Sequence, residues 1–403
     1  MKNNRSMIVS LLAALAVLMW SSGNVQGYTT YLPQDYISVT ITSLGGTESR
    51  AYDINNAGDV VGFSRLADGH REAVIWHDAN GNNVLDPGEL QSLGTLGGTE
   101  SGAFSINESG QVAGWSWLPG DTNHAATLWT DGNANWSADP GELASLGDLG
   151  GGKSRGYSIN NAGQVAGLAF TMSGRRDAMR WTDGNGNWSG DPGEMTDIGT
   201  LGGANTYGEG INSAGHVVGF SEVTPGVDHG FRWVDADANG HVNPGELVDL
   251  GTLGGTNSRA WAINDSGIVA GESETADGHT HAFIYNDLAG MVDLGTLGGT
   301  DSWAYGINAA GYVVGMSLDS NGEKHAFIWD GIGMTDLNAL LPAGSEWELT
   351  VARGLNDIDE VVGWGYLDGE RRGFVMMHMP EPATLLLLGS GIVGLMARRR
   401  KNG

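Results

Sequence analysis

Seven copies of one short unit recur along the chain, and this periodicity limits the fold more than any other feature. Each copy contains an Ile-Asn or Leu-Asn pair followed a few residues later by Val-x-Gly. Successive pairs are separated by 52, 53, 52, 52, 44 and 48 residues. A period of this size indicates stacked supersecondary units. The pairs begin at Ile54, Ile106, Ile159, Ile211, Ile263, Ile307 and Leu355.

Each copy holds four short apolar runs, which in the first copy are residues 51–55, 60–64, 72–76 and 90–96. Gly, Asn, Asp and Pro separate the runs, and these residues are typical of turns. Runs of this length that are rich in Val, Ile, Phe and Trp predict strands. Four strands per copy is the pattern of a propeller blade.

The order of the runs predicts how the two ends of the chain meet. A fourth-strand sequence beginning at Ile37 precedes every first strand, whereas the last copy ends after its third strand, near Met377. The N-terminal strand would therefore complete the last blade and leave no open sheet edge. We predict an all-β, seven-bladed β-propeller closed by the N-terminal strand. A solenoid or a pair of sandwiches is the alternative, although a solenoid would need capping repeats.

The N-terminus has the pattern of a signal peptide. Lys2 and Arg5 precede an apolar run over residues 7–20, and small residues follow it near Gly27. An N-terminal membrane anchor is the alternative, but the apolar run is short for a span. We therefore expect residues 1–27 to be removed, leaving a repeat domain over residues 28–378.

The C-terminus carries Pro380-Glu381-Pro382, an apolar run over residues 383–397 and then four basic residues. Such an end forms a short membrane segment whose charges stay in the cytoplasm. Residues 379–403 resemble the PEP-CTERM sorting signal. The resemblance implies an exosortase partner, transient inner-membrane anchoring through residues 383–397, removal of the tail, and delivery to the cell surface or the extracellular matrix. A plain tail anchor is the alternative.

The repeat domain resembles the HAF family of bacterial extracellular repeats. Its name motif occurs at His281-Ala282-Phe283 and His325-Ala326-Phe327, with weaker forms beginning at His229 and Arg372. The resemblance covers about residues 37–377 and implies an exported repeat protein. It implies no reaction, because the family is defined by its repeat.

Composition excludes several classes of function. The net charge of −27 becomes −32 when the two processed ends, which carry six basic residues and Glu381, are removed. Such a surface repels nucleic acid and anionic lipid and favours divalent cations. The chain has no Cys, so there are no disulfides and no thiol nucleophile, and no Gly-x-Ser-x-Gly sequence is present.

Four long loops between third and fourth strands predict calcium sites. Each places oxygen-bearing side chains at positions 1, 3, 5, 9 and 12 of a twelve-residue loop, which is the spacing of an EF-hand loop. The fourth loop matches best because Gly240 occupies position 6, where the others carry Asn83, Trp136 and Trp188. Those departures put the sharp central turn in doubt, and a hairpin without an ion is the alternative. The predicted ligands are Asp78, Asn80, Asn82, Asp86, Glu89, Asp131, Asn133, Asn135, Asp139, Glu142, Asp183, Asn185, Asn187, Asp191, Glu194, Asp235, Asp237, Asn239, Asn243 and Glu246.

A ligand site is predicted where the copies differ most, at the position just before each first strand. Arginine and aromatic residues there suit an acidic or sugar-like ligand at the mouth of a central channel. The alternative is ordinary contact between blades, with nearby Glu48, Asp301 and Glu209 as partners. The candidate residues are Arg50, Arg155, Tyr207, Arg259 and Trp303.

These features predict a non-enzymatic surface or matrix protein, stabilised by structural Ca²⁺, that binds extracellular polysaccharide. The alternative is a secreted propeller hydrolase or lyase that acts on glycans. A carboxylate pair for glycoside hydrolysis would be recognised as buried acids in the channel without counterparts in other blades.

Overall fold

The computed structural model describes residues 36–237, 239, 242, 243 and 245–378, and this part of the chain is all-β. Its one helical element is a short 3-10 turn at Leu337–Leu340. No helix among the described residues is long and apolar enough to cross a membrane. The predicted signal peptide, the sorting motif and the apolar run 383–397 lie outside the described residues.

Each copy of the unit forms four successive antiparallel strands. The first strands are β2 (Gly45–Ile54), β6 (Ser101–Ile106), β10 (Gly150–Ile159), β14 (Thr206–Ile211), β18 (Gly254–Ile263), β22 (Gly298–Ile307) and β26 (Trp347–Leu355). The second strands are β3 (Val60–Leu66), β7 (Val112–Trp117), β11 (Val165–Thr171), β15 (Val217–Thr224), β19 (Val269–Thr275), β23 (Val313–Asp319) and β27 (Val361–Leu367).

The third strands carry the His-Ala-Phe motifs and their variants. They are β4 (Arg71–Trp76), β8 (His124–Trp129), β12 (Arg176–Trp181), β16 (Val227–Trp233), β20 (Thr280–Asn286), β24 (Lys324–Trp329) and β28 (Glu370–His378). The fourth strands are β5 (Leu90–Gly94), β9 (Leu143–Ser145), β13 (Met195–Asp197), β17 (Leu247–Asp249), β21 (Gly290–Asp293), β25 (Met334–Asp336) and, in the last group, β1 (Tyr36–Ile41).

The N-terminal strand β1 pairs with β28 along its whole length, from Tyr36 opposite His378 to Ile41 opposite Gly373. Five of the seven groups form separate four-stranded sheets. The first and last groups share one eight-stranded sheet, in which a parallel pairing of Glu48 with Arg371 joins β2 to β28. Both ends of the described chain therefore lie in the last group, beside the first.

Apolar side chains fill the space between neighbouring groups. The phenylalanines of the His-Ala-Phe motif and its variants, among them Phe283 and Phe327, are fully buried. The glycine of Val-x-Gly is required inside each group, because a Cβ on Gly62 would lie 1.9 Å from the carbonyl oxygen of Arg50. This contact is between the first and second strands, so the glycine brings two backbones together within one blade.

The asparagine of each Ile-Asn or Leu-Asn pair is buried and has two roles. Its Oδ1 accepts a hydrogen bond from a backbone N–H four residues later, as Asn160 does from Gln164 at 2.9 Å. Its Nδ2 donates to the backbone carbonyl of the corresponding asparagine in the next copy, as from Asn160 to Asn212 at 2.9 Å. The contacts run in order from Asn55 to Asn107, Asn160, Asn212, Asn264, Asn308 and Asn356, and from Asn356 back to Asn55 at 3.1 Å.

The seven buried residues form a cyclic hydrogen-bonded series, the asparagine ring. The first strands contact one another in the same cyclic order, including β26 with β2. A second set of contacts links a third-strand N–H to a first-strand serine of the next copy, as from Ala126 to Ser154 at 2.9 Å. The same contact joins the chain ends, since Gly373 donates to Ser49 at 3.0 Å.

Replacing Asn160 by Ala should lower the free energy of unfolding by about 2–4 kcal/mol, because it leaves buried N–H and C=O groups without partners. Asn160→Asp keeps the acceptor for its own turn and loses the donor to Asn212 and to the Gln164 side chain, so the free energy lost in this variant reports these two donor contacts. Exposed Asn161→Ala is the matched control and should cost less than about 1 kcal/mol. Urea unfolding gives the three values, and equal losses for Asn160→Ala and Asn161→Ala would contradict a structural role of the ring.

Candidate functional site

The two ends of the strands carry different chemistry. Turns between first and second strands hold the asparagine ring, and an open cavity of about 200 Å³ lies among them. Because the strands are antiparallel, the loops between third and fourth strands lie at this same end. Residues 28–378 include 14 Lys and Arg residues. Twelve of these fall in or beside the loops of the opposite end or in the first strands: Arg50, Arg65, Arg71, Lys153, Arg155, Arg175, Arg176, Arg259, Lys324, Arg353, Arg371 and Arg372.

The predicted metal ligands converge within their loops. In the third loop, Asn185 and Asn187 both donate to the Asp191 carboxylate, at 2.6 and 2.7 Å. Glu194 accepts hydrogen bonds from the backbone of Gly184 and Asp191 at 2.9 Å each. The first two loops repeat the convergence, with Asn80 and Asn82 on Asp86, and Asn133 and Asn135 on Asp139. Oxygen-bearing side chains thus converge in each of these three loops, but the amide nitrogens of the asparagines, and not their oxygens, face the aspartate, so a divalent cation would require these amides to turn over.

The central turn of these loops forms without glycine. Asn83, Trp136 and Trp188, all at position 6, adopt φ of 57°, 56° and 56°. This left-handed conformation costs a bulky residue roughly 1–2 kcal/mol. The Trp136 ring offsets this cost by stacking on His77 of the preceding blade, with ring centroids 4.2 Å apart. The doubt that the sequence raised about this turn was therefore wrong. The ring of Trp136 packs its loop against His77.

The fourth loop differs from the other three. Carboxylate oxygens of Asp235, Asp237 and Glu246 lie within 4.8 Å of one another. However, Arg180 pairs with Asp235 at 2.9 Å, and both side chains are largely buried. A cation at this loop would share Asp235 with a guanidinium. The loop that best matches calcium by sequence therefore has a competing partner that the sequence did not indicate.

The predicted ligand residues lie within the first strands, and not before them, because these strands begin several residues earlier than the sequence indicated. Arg50 pairs with Phe63 and Arg155 with Leu168 in the neighbouring second strands. The structure separates the candidates into two clusters, although the last group of strands contributes a residue to each. Arg50 and Arg155 belong to the first cluster and Arg259 to the second, and Tyr207 lies beside the second through its stacking on Phe220. Trp303 makes no ring contact with either cluster among the described residues.

The first cluster is an alternating series of guanidinium groups and aromatic rings, here called the arginine–aromatic ladder. Arg50 lies 5.0 Å from the Trp364 ring centroid and 5.3 Å from that of Phe63. Arg71 lies 5.6 Å from Phe63 and 5.9 Å from Trp115. Arg155 lies 4.8 Å from Trp115. The ladder consists of Trp364, Arg50, Phe63, Arg71, Trp115 and Arg155, from the last blade to the third.

Acidic partners neutralise part of the ladder. Glu48 accepts from Arg50 at 2.7 Å, and from Arg65 and Arg371 at 3.0 Å. Burial would raise the pKa of Glu48, but hydrogen bonds from these arginines lower it to about 2. Arg50 and Glu48 lie on the same strand β2, so their pairing is local, whereas the pairing of Glu48 with Arg371 joins the first group of strands to the last. Arginines nevertheless outnumber acids here, so a positive surface remains on an acidic protein.

The second cluster, the inner channel cluster, lies across blades four to seven. Trp261 donates from Nε1 to Glu272 at 2.8 Å, and Arg259 lies 4.0 Å from the same carboxylate. Arg353 stacks on Tyr305 at 4.6 Å and on Trp261 at 5.4 Å. Glu209 completes this cluster of Glu209, Arg259, Trp261, Glu272, Tyr305 and Arg353 through its electrostatic interactions with Arg353, Arg259 and Glu272.

Two acids of this cluster have perturbed ionisation. Burial raises the pKa of Glu209 to about 7, against the opposing effect of Arg353 and Arg259. Burial also raises the pKa of Glu272, although the hydrogen bond from Trp261 opposes it. Tyr305 is shifted in the same sense, since burial raises its pKa to about 12. About half of the Glu209 carboxyl therefore remains protonated at neutral pH.

Sequence reasoning missed Glu209 as a site residue and did not single out Glu272 or Arg353. An alignment of the seven copies indicates this position. Where the fourth copy has Glu209, the other copies have Tyr52, Phe104, Tyr157, Trp261, Tyr305 and Arg353. These first-strand side chains contact one another around the axis. For example, the ring centroids of Tyr52 and Phe104 lie 5.2 Å apart. The position was overlooked because it falls within the repeated run that was assigned to packing.

Two sequence families match the chain. The PEP-CTERM protein-sorting motif matches residues 380–401, which confirms the predicted sorting signal. Protein of unknown function (DUF3466) matches residues 210–366, and the HAF repeat expected from the sequence is not among the matches. No curated protein matches the sequence. The C-terminal motif indicates an exported protein and is consistent with an exosortase partner.

Solved structures share the fold at low sequence identity. A puromycin-hydrolyzing peptidase from Mycobacterium tuberculosis is 14% identical with a TM-score of 0.53, covering 88% of this chain and 56% of the peptidase. The β-propeller domain of the Trilobed protease from Pyrococcus furiosus is 12% identical with a TM-score of 0.48, covering 82% and 95%. TolB from Acinetobacter baumannii is 13% identical with a TM-score of 0.43, covering 69% and 62%.

This chain thus spans less than two thirds of the peptidase and of TolB, and the likeness concerns the fold alone. The chain is an exported, all-β protein with a propeller-like fold.

The raised pKa of Glu209 predicts a pH-dependent stability. Between its ordinary value of 4.5 and about 7, the folded state keeps a proton that the unfolded chain has released, so the free energy of unfolding falls as pH rises. Glu209→Gln should reduce this slope, and exposed Glu346→Gln is the matched control. Urea unfolding at pH 5, 6 and 7.5 measures it, and parallel pH curves for parent and Glu209→Gln would rule out the shift.

Proposed function

We propose that this chain is a closed, seven-bladed propeller of the HAF-repeat type that binds acidic polysaccharide outside the cell. The arginine–aromatic ladder is the observation that carries the binding proposal. Guanidinium groups form charge-assisted hydrogen bonds with carboxylates and sulfates, and the buried rings of Phe63 and Trp115 hold these groups in position. An alternating series of the two suits an extended anionic polymer better than a small, compact ligand.

The cyclic contacts support the blade count and the closure. The asparagine ring has seven members and returns from Asn356 to Asn55. The pairing of β1 with β28 supplies a fourth strand to the last group. A ring of this kind protects the sheet edges that an open array would expose.

The overall charge supports a directional mode of binding. On a mature surface of −32, the ladder is a local concentration of positive charge at one end of the strands. Repulsion from the rest of the surface would orient a polyanion toward that end. Affinity should therefore be modest and should fall as ionic strength rises.

Calcium in this proposal is structural. The four long loops lie at the end opposite the ladder, and Trp136 of the second loop stacks on His77 of the preceding blade. Ca²⁺ would be held by the carboxylate and amide oxygens of positions 1, 3, 5, 9 and 12, where its charge would reduce repulsion among the acids. The side chains would thereby hold each loop against its neighbour.

Export places this binding module where the polymer is. The signal peptide would direct secretion, and the sorting tail would anchor the chain transiently in the inner membrane through residues 383–397. An exosortase-type enzyme would then remove the tail and release the module to the cell surface or matrix. The PEP-CTERM match at residues 380–401 supports this route.

A hydrolase or lyase acting on glycans is the second candidate, and the inner channel cluster favours it. Glu209 and Glu272 are buried acids in the channel wall without acidic counterparts in the other blades. Hydrolysis of a glycosidic bond requires one carboxylic acid that is protonated and a second carboxylate. Release of reducing ends that Glu209→Gln abolishes would favour this candidate over binding alone.

Charge removal in the ladder should weaken polymer binding. Arg71→Gln should reduce affinity for an anionic polysaccharide by roughly tenfold, because one charge-assisted contact of about 1.5 kcal/mol is lost. Arg175→Gln also removes one positive charge, from a loop outside the ladder, and should have little effect on the affinity for the polysaccharide. Biolayer interferometry at 50 and 300 mM salt measures both variants, and equal affinities would eliminate the ladder as the binding surface.

Chelation should lower the melting temperature. EDTA should destabilise the protein by several degrees, and Glu246→Ala should reduce that difference because one loop has lost its position-12 ligand. Glu323→Ala, an acid outside the four loops, is the control. Terbium luminescence sensitised by Trp136 and Trp188 reports binding directly. Identical melting with and without EDTA, together with no terbium signal, would remove calcium from the proposal.

A further inference from the structure

Arg353 is an arginine without a carboxylate partner. Among the described residues, its guanidinium makes no ion pair or hydrogen bond, although it is only partly exposed. It is held instead between the rings of Tyr305 and Trp261. Stacking of this kind fixes the plane of the guanidinium and leaves its N–H edge free for a bidentate anion. Arg71 and Arg259 of the same protein, in contrast, each have an acidic partner.

Glu209 is the second group without a partner. Its carboxyl makes no hydrogen bond to any described residue, and the charged groups that face it are Arg353, Arg259 and Glu272, with Tyr157 on the adjoining first strand. No neighbour lies close enough to stabilise its ionised form by hydrogen bonding. A protonated carboxyl is a hydrogen-bond donor. In this position it can donate to a hydroxyl or carboxylate oxygen of a ligand.

The remaining members of the cluster are fixed. Glu272 is held by Trp261 Nε1 at 2.8 Å, and Arg259 is held by Asp228 at 2.9 Å. Phe220 packs beside them, stacked on Tyr207 with ring centroids 4.5 Å apart. The cluster therefore offers, on a rigid aromatic wall, one cation and one acid that make no ion pair and no hydrogen bond with the described residues.

Resting on the polysaccharide-binding function above, we propose that the channel wall of blades four to seven is a subsite for one carboxylate-bearing sugar residue. Arg353 receives the carboxylate through its free N–H edge, and Glu209 donates a hydrogen bond to an oxygen of the same residue. Trp261 and Tyr305 position the guanidinium. The ladder binds an extended stretch of the polymer, and this subsite selects the acidic sugar residues of that polymer.

The chemistry of the two free groups predicts how binding responds to pH. Above pH 7 the Glu209 carboxyl ionises and repels the carboxylate of the ligand. At pH 8 about a tenth of the group remains protonated, so affinity for an acidic sugar should fall by up to roughly tenfold between pH 6 and pH 8. An uncharged sugar should show a smaller change, because it has no carboxylate for Glu209 to repel.

The test is calorimetric titration of the exported protein with a hexuronic acid trisaccharide and with its methyl ester, at pH 6 and pH 8. The ester keeps the sugar rings and removes the charges, so this comparison needs no variant. We expect the acid to bind at least tenfold more tightly than the ester at pH 6. Arg353→Gln should abolish the preference, Arg353→Lys should restore part of it, and Glu209→Gln should keep binding at pH 6 and remove its decline at pH 8.

The outcomes separate this subsite from the ladder. Arg71→Gln should weaken binding of the polymer and leave the trisaccharide within twofold of the parent. Equal affinities for acid and ester, or a preference that survives in a folded Arg353→Gln variant, would overturn the subsite even if the polymer still binds. Trisaccharide binding with the expected preference, but without polymer binding, would overturn the ladder and support the subsite. Absence of both would overturn both proposals.

Discussion

The asparagine ring is the interaction on which the rest of the structure depends. Seven copies of a four-stranded unit can bury their apolar faces only against one another, and the ring fixes each copy to the next at the axis. Each asparagine uses its acceptor for its own turn and its donor for the following copy, so local and long-range order are coupled in one buried side chain. The bond from Asn356 to Asn55 joins residues 301 positions apart. The ion pair of Glu48 with Arg371, the contact of Arg50 with the Trp364 ring and the serine contact also join the first and last copies.

With the wall fixed in this way, the positions that face the axis are free to differ. Tyr52, Phe104 and Tyr157 make one side aromatic, while Glu209 and Arg353 make the other side charged. The repeat thus supplies a rigid scaffold, and only a few substitutions within it are needed to create a site. The separation of loops follows the same logic, because antiparallel strands keep the acidic calcium-type loops at one end and most arginines at the other. Opposite charges are thereby kept from cancelling over much of the surface.

Much of the architecture was accessible from the sequence, and the site was accessible only in part. The apolar runs recur at a regular spacing and in a fixed order. This pattern predicts the strands, their grouping in fours and the pairing of residues 36–41 with 373–378. The twelve-residue loops were also recognisable, since their ligands are close in sequence. Two features were not recognisable from the sequence: the left-handed turn at Trp136 and the pairing of Arg180 with Asp235. Each of them depends on a residue from another blade or loop. The boundaries of the first strands were placed too late because Gly-rich segments carry little apolar signal.

The sequence by itself determined the repeat, the all-β class and the C-terminal sorting motif, because these are properties of neighbouring residues and of spacing. The tertiary structure decided which differences between copies matter. Arg50 and Arg353 stand two positions apart in their repeats, and Arg50 reaches Glu48 on its own strand, as the sequence alone could suggest. Arg353 instead stacks on Tyr305 and Trp261, which come from the two preceding groups of strands and lie beside it only because these groups pack around a common axis.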